Sequence, residues 1–172
     1  MKSTCDILFY SSMEAPIVGR LWLAATERGL CAITFGGDEA AFVAKLEQTW
    51  GLRPLPGAEA LAEAMQQVRD YVAGKRTSFD LPIDLRPLTG FQRQVLEATL
   101  AIPYGQTVSY RGLAESIGNP RAVRAVGGVQ AGNPIPLVIP CHRVVGSNGS
   151  LTGYGGGMEM KQALLRLEGA SM

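Results

Sequence analysis

Histidine and cysteine are scarce in this chain, which limits the metal sites that it could build. Among 172 residues there is one histidine, His142, and the three cysteines stand at positions 5, 31 and 141. Structural zinc sites need about four closely spaced Cys and His ligands, so we expect no metal site. Three cysteines also leave one unpaired, which indicates reduced thiols in a cytoplasm-like compartment rather than a disulfide framework.

Long apolar runs are missing as well. No stretch approaches the roughly 20 apolar residues that a bilayer-spanning helix needs. The N-terminus shows no basic region followed by an apolar stretch and a small-residue cleavage site, so no secretory signal is evident. We therefore expect no membrane partner, and a globular chain that folds as one large domain or two small ones.

Positive and negative charges nearly balance over the whole chain, but they are unevenly divided between its two halves. The net charge is +1, which argues against a general polyanion binder. Residues 1–85 contain eight Lys and Arg against eleven Asp and Glu, whereas residues 86–172 contain eight against four. A basic second half suits contacts with phosphates. Ordinary scatter of surface charge would explain this division equally well.

Alternating apolar residues predict a small α/β fold in the first half. Strands are predicted at residues 7–11, 19–25 and 30–35, with a hairpin turn at 26–29, and helices at 39–49 and 58–73. Residues 79–85 also alternate and are predicted as an edge strand, because Pro82 cannot donate a hydrogen bond within a sheet. Residues 86–90 look like a junction, so we expect domains at 1–85 and 86–172.

The second half is predicted to be mainly helical. Helices are expected at residues 91–100, 109–117, 120–131 and 158–167, with an extended segment at 135–139 and a glycine-rich loop at 146–157. Ser109 is a suitable N-cap, and Pro120 suits the first turn of the helix that follows. Helix, short turn, helix is the pattern of helix-turn-helix proteins, although a plain helical hairpin has the same spacing.

The helix predicted at 120–131 has an unusually small surface. Its small residues alternate with arginines in the order Arg121, Ala122, Arg124, Ala125, Gly127 and Gly128. Small side chains let a helix approach the minor groove of DNA closely, where arginine can contact phosphates or bases. The same small face would also allow close packing against another helix.

The run Pro140-Cys141-His142-Arg143 places the single histidine directly after a cysteine, between apolar neighbours. A cysteine attacks as the thiolate, and an adjacent imidazole can increase the thiolate population. Taken alone, such a pair is more often a buried cysteine that packs as a small hydrophobe. The surrounding sequence favours a reactive cysteine over one that only packs.

Residues 91–169 resemble the O6-alkylguanine-DNA alkyltransferases, also called methylated-DNA–protein-cysteine methyltransferases. The matching motifs, in the family's order and spacing, are Ile102-Pro103-Tyr104-Gly105, Ser109-Tyr110, residues 121–128, Gly132-Asn133-Pro134, the Cys141 run, Gly153-Tyr154 and Leu167-Glu168-Gly169. Residues 1–85 resemble the family only loosely. The resemblance implies a ribonuclease-H-like α/β first half with a small antiparallel sheet, and a mainly α second half with a winged-helix-type helix-turn-helix.

The resemblance also implies a function, which is DNA repair by one stoichiometric transfer per molecule. The alkyl group of O6-alkylguanine, and by extension of O4-alkylthymine, would pass to Cys141 after minor-groove binding and base flipping. His142 matches the base that reaches the sulfur through a water, and Glu168 matches the carboxylate that orients it. Tyr110 matches the residue that donates a proton to the leaving guanine.

Further positions match the DNA-binding and pocket residues of the family. Arg124 matches the arginine that replaces the flipped nucleotide, and the other implied DNA-binding positions are Tyr110, Arg121, Ala122 and Ala125. The implied pocket residues are Asn133, Val144 through its carbonyl, Tyr154, Gly155 through its amide, and Lys161. The implied partner is double-stranded DNA with alkylated bases, bound by a monomer without cofactor or metal, at the nucleoid in the cytoplasm of a bacterial- or archaeal-type cell.

Two other functions fit parts of the pattern. A non-catalytic binder of damaged DNA, like the alkyltransferase-like proteins, would lack the acceptor cysteine, whereas Cys141 is present. A thiol hydrolase would use Cys141, His142 and Glu168 for many turnovers on a small ester, without DNA. The number of alkyl groups taken up per molecule distinguishes a hydrolase from an alkyltransferase.

Overall fold

Four strands form the sheet of the first half in the computed structural model, which describes residues 6–171. They are β1 (Leu8–Ala15), β2 (Gly19–Thr26), β3 (Gly29–Phe35) and β4 (Leu55–Pro56), in the order β3-β2-β1-β4. The first three pair antiparallel through tight hairpins, and β4 pairs parallel to β1. The α/β fold predicted for this half is confirmed, with one short parallel strand added to the antiparallel sheet.

Strand β2 is buried on both faces, because helices cover the sheet from two sides. Trp22 stacks on Phe42 of helix α1 (Glu39–Trp50), with ring centroids 5.9 Å apart. Side chains alternate along a strand, so Leu23 points the other way, into the main core with helix α2 (Ala62–Val72). Because both faces of the sheet are covered, the last six residues of β2 are all buried.

Helices dominate the second half, as predicted. They are α3 (Gly90–Leu100), α4 (Tyr110–Ser116), α5 (Val123–Ala131) and α6 (Met158–Leu167). The two-residue strands β5 (Val108–Ser109) and β6 (Val144–Val145) pair in parallel and bring the start of α4 next to the segment after Cys141. Ser109 is the N-cap of α4, and its hydroxyl accepts a hydrogen bond from Gly112 N at 2.9 Å.

Helices α4 and α5 pack against each other and against α3 around a shared apolar core. Helix α5 begins at Val123, with Ala122 as its N-cap, so Pro120 does not lie in its first turn. The prediction for Pro120 is wrong because a separate turn precedes the helix. In that turn Ala122 N donates to Asn119 O at 3.0 Å.

The segment at residues 79–85 lies along the edge of β3 without forming a strand. It makes an isolated bridge between Ile83 and Leu30, and Leu30 N donates to Pro82 O at 2.9 Å. Gly29, with φ of 142°, permits this approach, because a Cβ there would lie 2.4 Å from Pro82 O. The predicted edge strand is reduced to a bridge, since Pro82 interrupts the ladder.

The segment before Cys141 forms a turn rather than the predicted extended strand. Ile139 N donates to Ile135 O at 2.9 Å and closes residues 135–139 into a loop. Leu137 within it has a left-handed φ of 75°. All five residues are buried, and a buried turn and a buried strand have the same apolar pattern. The apolar pattern therefore predicts that the segment is buried, but not whether its backbone forms a turn or a strand.

The two halves share one apolar core. It joins Leu23 and Val68 of the first half to Leu96, Ile139 and Leu164 of the second half, and all five are buried. Helix α2 therefore belongs to the same core as the segment that leads to Cys141 and as helix α6.

That the protein has no membrane partner and no metal site remains a prediction. Within residues 6–171 no helix has both the length and the apolarity needed to cross a bilayer. In the same part of the chain no group of three or more His, Cys, Asp or Glu side chains is arranged to hold a metal ion. Cys5, one of the three cysteines considered as metal ligands, lies outside the described residues.

Candidate active site

Cys141 begins a short 3-10 helix, Cys141–Arg143, between the buried turn and β6. It is 7% exposed. Asn133 holds the preceding turn, since its Nδ2 donates to Ile139 O at 2.9 Å and its Oδ1 accepts from Ile135 N at 3.0 Å. Both ends of the amide therefore fix the backbone that leads to the sulfur.

His142, the next residue, points toward the end of α6. Its Nε2 lies 2.8 Å from Oε1 of Glu168, the C-cap residue of α6, and neither side chain is exposed to solvent. An ionised carboxylate only accepts hydrogen bonds, so Nε2 carries the proton of the neutral ring. Among residues 6–171 the buried Nδ1 has no hydrogen-bond partner, and its lone pair is free to accept a proton.

Arg143 binds both carboxylate oxygens of Glu168. Its Nη2 donates to Oε1 at 2.7 Å and its Nε donates to Oε2 at 2.9 Å. The same guanidinium donates from Nη1 to Ile102 O at 2.6 Å, and Gly105 N donates to Oε2 at 3.2 Å. Burial alone would raise the pKa of Glu168, but the hydrogen bonds from His142 and Arg143 lower it to about 2. The buried carboxylate is therefore ionised at neutral pH.

Burial shifts the pKa values of the sulfur and the imidazole in opposite directions. It raises the pKa of Cys141, against the hydrogen bond from Asn133 and the charge of Lys161. It lowers the pKa of His142, against the attraction of Glu168. At neutral pH the resting pair is a thiol beside a neutral imidazole. The thiolate must therefore form during the reaction, by proton transfer.

Two tyrosines next to Glu168 were not predicted as site residues. Tyr71 of α2 is fully buried, and its hydroxyl donates to Glu168 Oε1 at 2.5 Å. Tyr104 OH donates to Leu167 O at 3.1 Å. Helical spacing places Tyr71 on the buried face of α2. Only the packing of α2 against the end of α6, which no local pattern reveals, brings it to Glu168.

A cavity of about 300 Å³ opens beside Cys141. Its walls are formed by Tyr110, Gly127, Gln130, Ala131, Cys141, Gly153, Tyr154 and Gly155. Tyr110, Tyr154 and Gly155 were predicted for the site, and the structure brings them together with the cysteine. Gln130 was not predicted, because a single glutamine on the small-residue helix matches no motif that the sequence offers.

The hydroxyls of the two pocket tyrosines have different surroundings. Tyr110 OH donates to Thr152 O at 3.3 Å and remains accessible. Tyr154 OH is buried and finds no partner among the residues that the structure describes. Its ring lies edge-on to the imidazole of His142, with centroids 6.3 Å apart. Burial raises the pKa of Tyr154 well above its ordinary value, so this hydroxyl stays protonated.

Lys161 and Val144 are absent from the described residues that line the cavity, and a hydrogen bond joins them. The buried Nζ of Lys161 donates to Val144 O at 2.7 Å and to Thr152 O at 2.8 Å. These bonds tie the glycine-rich loop to β6. A carbonyl oxygen has two lone pairs, so Val144 O keeps one acceptor position while Lys161 occupies the other.

Apart from Tyr110, which begins α4, the residues predicted to contact DNA lie at the start of α5. Arg121, Arg124 and Ala125 are exposed, and Ala122 is half-buried. Arg121 and Ala122 precede the helix, so the two arginines flank its N-terminus. The partial positive charge of a helix N-terminus adds to that of arginines and favours phosphate.

Two family models match consecutive parts of the chain. The ribonuclease-like domain of 6-O-methylguanine DNA methyltransferase matches residues 8–85, and the DNA binding domain matches residues 90–170. The methylated-DNA–protein-cysteine methyltransferase of Mycobacterium tuberculosis is 43% identical over 167 residues, which are 94% of this chain and 93% of that protein. The protein of the same name from Methanosarcina acetivorans is 41% identical over 164 residues, 95% and 99% of the two chains.

A longer relative contains the same region as one part. The bifunctional transcriptional activator/DNA repair enzyme Ada of Escherichia coli is 43% identical over 154 residues, and the match covers 88% of this chain but 43% of Ada. Among solved structures, M. tuberculosis OGT in complex with DNA superposes with a TM-score of 0.80 at 42% identity, over 94% of this chain and 92% of that one. The O6-methylguanine-DNA methyltransferase of Pyrococcus kodakaraensis gives 0.64 at 26% identity, over 95% and 100%.

Proposed function

Because the chain belongs to the family of methylated-DNA–protein-cysteine methyltransferases, we propose that it repairs DNA by taking the alkyl group of O6-alkylguanine onto Cys141. The observation that supports this most strongly is the cavity beside a buried cysteine whose neighbour, His142, is held by the ionised Glu168. That arrangement supplies a nucleophile, a base and an orienting acid, which are the three parts of an activated thiol.

The transfer is an in-line displacement at the alkyl carbon. Cys141 Sγ attacks the carbon, the carbon–oxygen bond breaks, and its electron pair remains on the guanine. The thiol proton passes through a water to Nδ1 of His142, and Glu168 stabilises the imidazolium. Tyr110, which lines the same cavity, gives its proton to the guanine. Return of the proton from His142 to the Tyr110 phenolate leaves an S-alkylcysteine and a repaired base.

Each molecule acts once, because the product is a thioether. Water activated by His142 would hydrolyse an acyl-enzyme, but it does not displace an alkyl group from the sulfur of Cys141. The reaction needs neither metal nor cofactor, since the protein is itself the acceptor. The same displacement applies to O4-alkylthymine, whose alkyl group is also bonded to a ring oxygen.

Binding to double-stranded DNA as a monomer is part of the same proposal. The alkylated base must leave the stack to reach the cavity, and Arg124 takes its place in the duplex. Arg121 contacts a phosphate, while Ala122 and Ala125 let the start of α5 approach the minor groove. The two relatives described above are bacterial and archaeal, and we place the reaction at the nucleoid in the cytoplasm of such a cell.

The rest of the pocket orients the guanine. We assign Val144 O as an acceptor for the guanine amino group, held in place by Lys161, and the backbone amide of Gly155 as a donor to the guanine oxygen. Tyr154 packs beside the base, and Asn133 fixes the turn that carries the sulfur.

Mass spectrometry tests this function directly. The protein is mixed with a duplex that contains one O6-methylguanine, digested, and its peptides are weighed. We expect one methyl group, on the peptide with Cys141, and a plateau at one repaired lesion per protein in excess substrate. A methyl group on Cys31 would contradict the role of Cys141, and a count of lesions that rises steadily past one would contradict single transfer and favour the thiol hydrolase.

A further inference from the structure

The hydroxyl of Tyr71 reaches Glu168 from the other half of the molecule. It donates to Oε1 at 2.5 Å and lies 3.2 Å from Nε2 of His142. Tyr71 is separated from His142 by 71 positions in the sequence and from Glu168 by 97. Helix α2 therefore contributes a side chain to a network whose other members belong to the second half.

The hydrogen-bond directions in this network follow from the available donors. Glu168 is ionised and can only accept, so the single proton of the Tyr71 hydroxyl points to Oε1. The phenol oxygen then has lone pairs left, and the nearest donor is Nε2–H of His142. That proton is shared between Oε1 at 2.8 Å and the Tyr71 oxygen at 3.2 Å. Two acceptors therefore hold the proton on Nε2 and leave Nδ1 as the base.

The position of the hydroxyl is fixed by packing. The ring of Tyr71 is fully buried, 5.2 Å from the ring of Phe79 and 6.3 Å from that of Tyr104, which stands edge-on. Burial and the charge of Glu168 raise the pKa of Tyr71, so the phenol remains a neutral donor throughout the accessible pH range. A rigid, protonated phenol is suited to positioning and not to proton transfer.

We propose that Tyr71 is a positioning residue for the alkyl transfer, which shares the Nε2 proton of His142 with Glu168, tempers the pull of the carboxylate on that proton, and holds the ring with Nδ1 toward the sulfur side. This role rests on the proposed function, in which His142 takes the proton of Cys141.

The single histidine of the chain makes this role measurable without any DNA. In untagged protein labelled with ¹⁵N in the imidazole, the two ring nitrogens report the tautomer directly. We expect the Nε2–H form in the wild-type protein, and a contact between the imidazole proton and a slowly exchanging hydroxyl proton of Tyr71. A predominant Nδ1–H form would overturn the proposed role, and this measurement requires no variant that must fold.

Tyr71→Phe removes the hydroxyl and keeps the ring. The charged and titratable groups around the imidazole are Glu168, Arg143, Lys161, Tyr71 and Tyr154. Without the phenol, Glu168 has one donor fewer and attracts the imidazole proton more strongly, so the pKa of His142 rises. Transfer requires the neutral ring, and the acid limb of the pH–rate profile should move to higher pH. The plateau rate should fall on the order of 10-fold, the value of a hydrogen bond to a charged group.

Tyr104→Phe is the matched control. It removes a phenol hydroxyl from the same region, where the partner is the backbone oxygen of Leu167. Tyr104→Phe should leave the tautomer, the acid limb and the rate as in the wild type. DNA affinity should be unchanged in both variants, because neither hydroxyl faces the exposed start of α5.

The outcomes separate a positioning role from a structural one. If Tyr71→Phe melts at a lower temperature and reacts more slowly, while the titration midpoint of His142 stays at the wild-type value, the hydroxyl serves only the fold and the inference is wrong. If the wild-type protein transfers no methyl group to Cys141, the proposed function fails, yet the imidazole signals still report whether Tyr71 shifts the titration of His142.

Discussion

Each half of the molecule contains a buried cysteine near a buried carboxylate that an arginine holds. In the first half these are Cys31 and Asp84, held by Arg86 at the junction, and in the second half Cys141, Glu168 and Arg143. Within residues 6–171 both cysteines are free of disulfides. Burial raises the pKa of both thiols, and beside Cys31 the charge of Asp84 adds to it and brings the pKa to about 12.

The difference lies in what stands between the thiol and the carboxylate. The negative charge of Asp84 acts on Cys31 directly and opposes ionisation. In the second half His142 bonds to the carboxylate, so the negative charge of Glu168 stabilises an imidazolium instead. The amide of Asn133 and the charge of Lys161 also favour the thiolate of Cys141. A thiol, a carboxylate and a guanidinium therefore give a thiol without a base in one half and a base-assisted thiol in the other.

The largest difference is expected from removing each sulfur in turn. Cys141→Ala should abolish transfer, whereas its affinity for DNA should change by less than about 1 kcal/mol, since phosphate contacts supply most of the binding. Cys31→Ala should transfer at the wild-type rate. The measurement is methyl transfer from a labelled duplex together with binding to an unmodified one. Residual transfer by Cys141→Ala would remove this residue from its role.

Neutralising the two carboxylates should give the next largest difference. Glu168→Gln should slow transfer on the order of 100-fold, the usual contribution of a positioned base. It should also destabilise the fold by about 3–5 kcal/mol, because it leaves the buried Arg143 without its partner. Asp84→Asn is the control, and it should destabilise less, since the side chain of Arg86 is 33% exposed. Equal transfer rates in the two variants would show that His142 does not depend on Glu168.

The smallest of the three effects on the transfer rate is expected from removing Arg124, at the exposed start of α5. Arg124→Ala should slow repair of a duplex on the order of 10-fold or more, because extruding a base costs a few kcal/mol that Arg124 offsets. Its reaction with free O6-methylguanine should stay at the wild-type rate, since no base needs to be flipped. Arg111→Ala, which removes an exposed arginine of α4, is the control. Equal losses on both substrates would assign Arg124 to the pocket or the fold.

The fold was predictable wherever one apolar face decides the structure. The three hairpin strands and most helix positions follow from spacing, since alternate or helical positions must face a core. Pro120 and residues 135–139 were mispredicted because turns and helix starts obey local capping rules that tertiary contacts override. At residues 79–85, Pro82 approaches Gly29 and limits the pairing to a bridge, a contact that no local pattern contains.

The site was predictable where its residues lie in one motif. Cys141 and His142 are adjacent, and Glu168 belongs to a motif at the end of the last helix, so resemblance found all three. Tyr71 belongs to no such motif, because it reaches the site only through the packing of the two halves. Lys161 was expected beside the pocket, and the structure shows it as a clamp on two backbone carbonyls.

The long separations in the Tyr71–His142–Glu168 network have a consequence for biosynthesis. The ribosome makes Tyr71 first, then His142, and Glu168 follows 26 positions after His142. Cys141 and His142 are therefore synthesised before Glu168, the carboxylate that orients the imidazole. We therefore expect base-assisted transfer to begin only when the last helix docks and brings Glu168 to His142.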